Sequence, residues 1–283
     1  MNSGEINTKE ILKKWQIELE GRLDRLKRNG HEPRLNIITV SSNEDGKLYV
    51  NNKIKKAEEL GIECSIFGLD EYTNQDMLNE LIGCMRHPTI LQLPIPKHLD
   101  KDEALRYLKP EFDVDGLTIY QKGLLVNGDK KVMVPATAAG VVRIIEHITN
   151  IQGKKVVILS RSELIGKPLA QLILQKDGYP IVMHSKIPEY ELNYEMMDAD
   201  IVVTGCGKRA IFDSNNFDVD CQILIDCSMY RSPVRDGVGD IDKEDILKHT
   251  DNLIASGYGH TGPATVMGLM ENVIKHYELA DSV

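Results

Sequence analysis

Apolar positions along the first third of the chain alternate between helical spacing and short β-branched runs. Between Ile6 and Lys27, residues Ile11, Leu12, Trp15, Leu19, Leu23 and Leu26 recur at helical spacing with charge on the opposite side, which predicts an amphipathic helix. Leu35 to Val40 is short, β-branched and bounded by polar residues, the pattern of a buried strand. A helical pattern from Tyr49 to Leu60 stops at Gly61, a good C-cap. Ile62 to Leu69 reads as a second strand, Met77 to Met85 as a helix, and Thr89 to Leu93 as a third strand closed by Pro94. Strand following helix in this way predicts parallel β-α-β units, whose ligands gather beyond the carboxyl ends of the strands.

Phe112 to Lys131 reads as a loop and Ala138 to Ile148 as a helix, after which a new alternation begins near Lys154. Its strands are Lys155–Leu159, Pro180–His184, Ile201–Thr204, Gln222–Asp226 and Leu253–Ala255, a Rossmann-like order of elements. A last helix, Pro263 to Tyr277, opens with proline in its first turn, where the missing N–H costs nothing, and is expected to pack back on the first domain. The expected fold is therefore α/β in two domains, residues 1–137 completed by 262–283, and residues 138–261.

Composition narrows the function. A length of 283 residues suits two domains, and 34 basic against 43 acidic residues, a net charge of −9, argues against nucleic-acid or acidic-membrane partners. The opening residues lack the apolar core of a signal peptide, and no apolar run approaches the roughly 20 residues of a membrane span, so a cytoplasmic location is expected. Cys64, Cys84, Cys206, Cys221 and Cys227 form no C-x-x-C pair and lie in or beside apolar runs; they read as reduced structural thiols, and no metal is implied.

Where strand meets helix, Ile158-Leu159-Ser160-Arg161-Ser162-Glu163-Leu164-Ile165-Gly166-Lys167-Pro168 is a candidate phosphate loop, although it lacks a G-x-G-x-x-G fingerprint and an ordinary strand-to-helix turn has the same look. The next strand ends in His184-Ser185-Lys186, where an NAD-binding fold usually carries an acid for the ribose 2′-hydroxyl. Arg161 and Lys186 would instead face a 2′-phosphate, favouring NADP over NAD, or stand as two solvated cations. Thr204-Gly205-Cys206-Gly207-Lys208 follows the third strand and is either a ligand-facing loop or a glycine turn.

In the first domain, Tyr49 and Lys53 share one face if their segment is helical. Gln92 ends the third strand, and Asp115 lies in the turn-prone Asp113-Val114-Asp115-Gly116. Taken singly, these are also an edge tyrosine, a solvated lysine, a strand-end amide and an Asx turn. Together, Y-V-N-N-K-I-K-K-A-E-E-L-G-I, Q-L-P-I-P, D-V-D-G and S-R-S-E-L-I-G-K-P occur in the order of the motifs of the methylenetetrahydrofolate dehydrogenase/cyclohydrolase family, which the chain resembles from about Leu35 to Tyr277. The resemblance implies a folate-binding catalytic first domain and an NADP-binding second one. It implies that Tyr49 stacks on the pterin, Lys53 is the catalytic amine, Gln92 orients it and Asp115 hydrogen-bonds the pterin ring. It further implies cofactor contacts by Ser160, Arg161, Ser162, Gly166, His184, Ser185 and Met229, substrate contacts by Gly262 and Pro263, and a homodimer.

The implied chemistry is oxidation of methylenetetrahydrofolate by NADP, then hydrolysis of the methenyl product to formyltetrahydrofolate. Four segments depart from the family pattern. Ser160 stands where a glycine is usual, and Val134-Pro135-Ala136-Thr137-Ala138-Ala139-Gly140 replaces P-C-T-P-x-G. Asp226-Cys227-Ser228-Met229-Tyr230 takes the place of D-V-G-I-N, and Ser256-Gly257-Tyr258-Gly259-His260-Thr261-Gly262-Pro263 that of P-V-P-G-G-V-G-P. These changes leave open a family member with the cyclohydrolase alone, or a non-catalytic folate- and dinucleotide-binding scaffold.

Overall fold

The apolar run at Leu35 lies in the central strand of a three-stranded parallel sheet, with strand order β3-β2-β4, in a computed structural model that describes residues 4–40, 44–218, 222–228, 238–255 and 260–281. The chain divides into two compact units, one of Met1–Lys13 with Thr137–Thr265 and the other of Lys14–Ala136 with Val266–Val283.

In the second of these units, β2 (Arg34–Val40) lies between β3 (Glu63–Leu69) and β4 (Thr89–Leu91), and Asn36 is in register with Ser65 on one side and Thr89 on the other. Leu35, Ile37 and Ile38 of the central strand are buried, and so is Ile90 of β4, as expected for a parallel sheet covered on both faces. Helices α1 (Thr8–Arg28), α2 (Glu44–Leu60) and α3 (Gln75–Gly83) follow the predicted rhythm, although α2 begins before Tyr49. Trp15, Leu19 and Leu23 of α1 are buried, so the predicted apolar stripe is the packing face. The last helix, α10 (Gly262–Ala280), joins this unit over most of its length, with Glu271 accepting from Trp15 Nε1 at 3.1 Å and pairing with Arg22 at 2.7 Å.

Two short helices, α4 (Lys101–Leu105) and α5 (Ile119–Val126), have no counterpart in the sequence reading, which makes Phe112 to Lys131 a loop. Helix α5 is too short for its periodicity to show, and a hydrogen bond from Gln121 N to Thr118 Oγ1 starts it.

The other unit holds a six-stranded sheet of order β1-β9-β8-β7-β5-β6, parallel at every pairing. Its strands are β1 (Gly4–Glu5), β5 (Lys155–Leu159), β6 (Tyr179–Val182), β7 (Ile201–Thr204), β8 (Ile223–Asp226) and β9 (Leu253–Ala255). Three of the five predicted strands coincide with these bounds and two shift at their ends. Helices α6 (Ala136–Ile148), α7 (Gly166–Gln175), α8 (Glu189–Met197) and α9 (Lys243–His249) complete it; α8 exposes Tyr190 and Tyr194, which blurs the apolar stripe that would have marked it. Residues 4–13 belong to this unit because β1 pairs with β9, whereas the sequence reading places them in the first domain. A two-residue strand carries no readable period.

Candidate functional site

Helix α2 brings Tyr49 and Lys53 one turn apart on one face, with Tyr49 half-buried and Lys53 only 8% exposed. A lysine is rarely buried without a partner. Here Nζ donates to Gln92 Oε1 at 2.8 Å, and the amide of Gln92 is held in turn by Nε2 donating to Leu93 O at 2.8 Å. That second bond points the Gln92 oxygen at the amine. Gln92 immediately follows β4, and its backbone N–H still pairs with Ile38 O at 2.8 Å, so the sheet itself sets the position of the amide. The Leu93–Pro94 peptide that follows is cis.

Asp115 supplies the charge. Burial pushes the Lys53 ammonium below the ordinary lysine range, and the Asp115 carboxylate opposes that shift. Burial raises Asp115 above the ordinary carboxylate range, with Lys53 opposing and Asp113 adding to the rise. Both members of the pair are thus displaced toward their neutral forms. A proton on Lys53 is held less firmly than on a solvated lysine.

The two acids of the D-V-D-G turn divide the work. Asp113 is buried, its Oδ1 accepting from Gly116 N at 2.9 Å and its Oδ2 from Thr118 N at 2.6 Å, so it closes the turn from inside. Gly116 has φ 72°, and a Cβ there would lie 2.2 Å from Met133 O, so both the left-handed backbone and the absent side chain are required. Gln121 accepts from Met133 N at 2.7 Å and donates to Pro110 O at 2.9 Å, pinning the flanking segments. Sequence reasoning passed over Asp113 as a support, and it missed Gln121 and Asn272. The signal available for Asp113 was its place in an Asx-turn tetrapeptide.

In the other unit, β5 ends at Leu159 and the candidate phosphate loop runs from buried Ser160 to Gly166, the first residue of α7. Ser162 organises the turn: its Oγ accepts from Ile165 N at 3.1 Å and lies 3.2 Å from Ser160 Oγ, while its carbonyl accepts from Lys167 N at 3.0 Å. A Cβ on Gly166 would meet Ser160 O at 1.9 Å, so the start of α7 lies directly against the strand end. That cradle, at the N-terminus of a 10-residue helix and beside exposed Arg161, fits a phosphate-bearing cofactor.

After β6, His184 is half-buried and accepts at Nδ1 from Lys186 N at 3.3 Å, while Ser185 and Lys186 are exposed. Met229 lies outside the described residues, as do residues 256–259. Gly262 and Pro263 open α10, with Pro263 exposed.

A buried acid pair supports the loop after β7. Asp240 accepts from Cys206 N at 2.6 Å, Lys208 N at 2.8 Å and Ser228 Oγ at 2.7 Å. Asp226 accepts from Thr204 Oγ1 at 3.0 Å, Ser228 N at 2.9 Å and Ile241 N at 3.0 Å. Burial, with Asp240 adding to it and the donors opposing, raises Asp226 to about 7. Cys64, Cys84, Cys206 and Cys227 are free, and burial raises Cys64 and Cys206 to about 11, which suits inert thiols. Among the described residues no cluster of side chains could hold a metal ion, and no helix is long and apolar enough to cross a membrane.

With this geometry in hand, two family models match the chain. Residues 6–115 match the catalytic domain of tetrahydrofolate dehydrogenase/cyclohydrolase, and residues 135–281 match the NAD(P)-binding domain of the same family. The bifunctional protein FolD of Lactococcus lactis subsp. cremoris is 32% identical over 276 residues, 95% of each chain. The crystal structure of the bifunctional FolD methylenetetrahydrofolate dehydrogenase/cyclohydrolase from Campylobacter jejuni superposes with a TM-score of 0.91 at 28% identity, covering 98% of this chain and 99% of that one. The Trypanosoma brucei methylenetetrahydrofolate dehydrogenase-cyclohydrolase, complexed with NADP cofactor and inhibitor, gives a TM-score of 0.91 at 26% identity over the whole of both chains.

Proposed function

The chain belongs to the tetrahydrofolate dehydrogenase/cyclohydrolase family, and from this membership and the site geometry we infer its reaction. It is a bifunctional enzyme, an NADP-dependent methylenetetrahydrofolate dehydrogenase and a methenyltetrahydrofolate cyclohydrolase. The cofactor, when bound, accepts a hydride from the one-carbon unit, chemistry that belongs to the nicotinamide and not to the protein. The chain's own part is to hold the dinucleotide at Ser160, Arg161, Ser162 and Gly166, with His184 and Ser185 at the next strand end, and the pterin at Tyr49 and Asp115.

Hydrolysis is the step in which the protein moves protons. Water adds to the methenyl carbon, Lys53 Nζ takes a proton from it, and the proton returns to the ring nitrogen as the carbon–nitrogen bond opens. The carrying observation is that Lys53 is buried, bonded to Gln92 at 2.8 Å and depressed below the ordinary lysine range. A solvated lysine would stay charged at neutral pH and offer no base. Gln92 orients the amine without charging it, and Asp115 balances the ammonium when it forms.

The test is Lys53→Met, with methenyl formation and methenyl decay followed separately. Hydrolysis is expected to vanish while the fold, read by Tm, persists. Undiminished hydrolysis removes Lys53 from the mechanism.

Free cysteines support a reducing, cytoplasmic location. The open edge strand β6, with Tyr179 and Val182 exposed, supports a homodimer through the six-stranded sheet, to be read as molecular mass in solution.

A further inference from the structure

The turn that carries Asp115 is held from within by Asp113, and also from outside by a residue that no motif marks. Asn272 lies on α10, is 5% exposed, and donates from Nδ2 to Val114 O at 2.9 Å and to Val134 O at 2.7 Å. An amide nitrogen has two hydrogens, and both are used. The Val114 carbonyl belongs to the planar peptide whose N–H is that of Asp115, so the contact fixes the backbone from which the Asp115 side chain departs. Val134 follows Met133, whose carbonyl lies 2.2 Å from where a Gly116 Cβ would be. One amide therefore ties together both walls of the turn, across 158 and 138 residues of sequence.

The residue type matters. A lysine or arginine could donate to the same carbonyls, but it would bring a second cation into competition with Lys53 for Asp115. An aspartate would set its carboxylate against both carbonyls. Asparagine offers two donors with no net charge.

We infer that Asn272 is a positioning residue for the hydrolytic step, acting through Asp115 to keep its carboxylate beside Lys53. The inference rests on the reading that Lys53 and Asp115 work together. Without the amide, the buried Val114 carbonyl and the half-buried Val134 carbonyl lose this donor and the turn relaxes toward other partners. Asp115 then withdraws, and with it the charge that favours the Lys53 ammonium.

The test compares Asn272→Leu, close in size but without donors, with Asp115→Asn and with the double variant. Hydrolytic kcat of Asn272→Leu is expected to fall on the order of tenfold to a hundredfold, as for a small misplacement of a reacting group. The rising limb of its pH–rate profile should move toward acid, because the anion supporting the ammonium has receded. KM for NADP should not change, and the double variant should hydrolyse no more slowly than Asp115→Asn alone. A lowered Tm with an unmoved pH profile, or losses that multiply in the double variant, would overturn the inference. Full hydrolysis by Asp115→Asn would instead overturn the reading beneath it, and it is told apart because it appears before Asn272 is altered. Should the leucine variant not fold, Asn272→Ser keeps one donor and carries the same comparison, with a smaller loss expected and an unmoved limb again decisive against it.

Discussion

Replacing Gly166 by alanine tests the proposed dinucleotide site with a single methyl group. The new Cβ would stand 1.9 Å from Ser160 O, 2.4 Å from Ser160 C and 2.9 Å from Arg161 N, where contacts below 3.0 Å are essentially never found. Every obstacle is backbone, so no side-chain rotation relieves the clash. The Ser160–Arg161 peptide or the first turn of α7 must move by about 1.1 Å to bring the shortest contact from 1.9 to 3.0 Å. Overpacking of this kind costs about 1–3 kcal/mol, and a chain of this size loses about 2–4 °C of Tm per kcal/mol. Function should suffer more than stability, since a misplacement of about 1 Å can cost roughly a hundredfold in rate. The assay is initial dehydrogenase rate against NADP concentration, beside cyclohydrolase rate on preformed methenyl substrate without NADP. A loss of that order in kcat/KM for NADP, with hydrolysis intact, is expected. If NADP dependence is unchanged, or both activities fall together, the assignment of this loop to the cofactor is wrong.

Gln92→Glu should do the opposite of Asn272→Leu to the hydrolytic pH profile. A carboxylate in place of the oxygen now 2.8 Å from Nζ favours the ammonium, raising the Lys53 pKa and moving the rising limb toward alkali; a limb that stays put would mean Lys53 is not the titrating base. For Asp226, the folded-state value of about 7 lies above that of a free carboxylate, so its contribution to stability is complete below about pH 4 and is lost as pH rises toward 7. Denaturant midpoints should fall between pH 5 and pH 8 in the wild type and flatten in Asp226→Asn, and equal slopes in the two proteins would refute the assignment.

The four candidate groups, Tyr49, Lys53, Gln92 and Asp115, were legible in the sequence, and most of their supports were not, for one physical reason. Tyr49 and Lys53 are one helical turn apart, Gln92 ends an apolar run, and Asp115 sits in a turn tetrapeptide, so each is defined by neighbours within a few residues. Asn272 meets Val114 across 158 residues, and Glu271 meets Trp15 across 256. Such pairings exist only after the fold has formed. The same contrast separates β5, β7 and β9, whose continuous apolar runs are buried on both faces, from β1, whose two residues become a strand only because β9 offers an edge. Helix α5 was missed because Thr118 caps a segment too short to show a period.

Ser160 is one of four departures from the family pattern, and its surroundings show that the loop has room for its side chain. Within the chain itself, glycine is required at a position either because the backbone is left-handed or because there is no room for a Cβ. Neither holds at Ser160. Among the described residues, the non-glycine positions with positive φ are Asp177 and Ala210. The Ser160 Cβ has its place opposite Gly205, whose own Cβ would lie 3.2 Å from it. The demand for a missing side chain falls on Gly166, which this chain retains. The Ser160 hydroxyl then adds to the turn, accepting from Ser162 N at 3.4 Å and lying 3.2 Å from Ser162 Oγ. A loop that keeps its closest internal approach at Gly166 and gains an internal hydrogen bond accommodates serine without strain at this position.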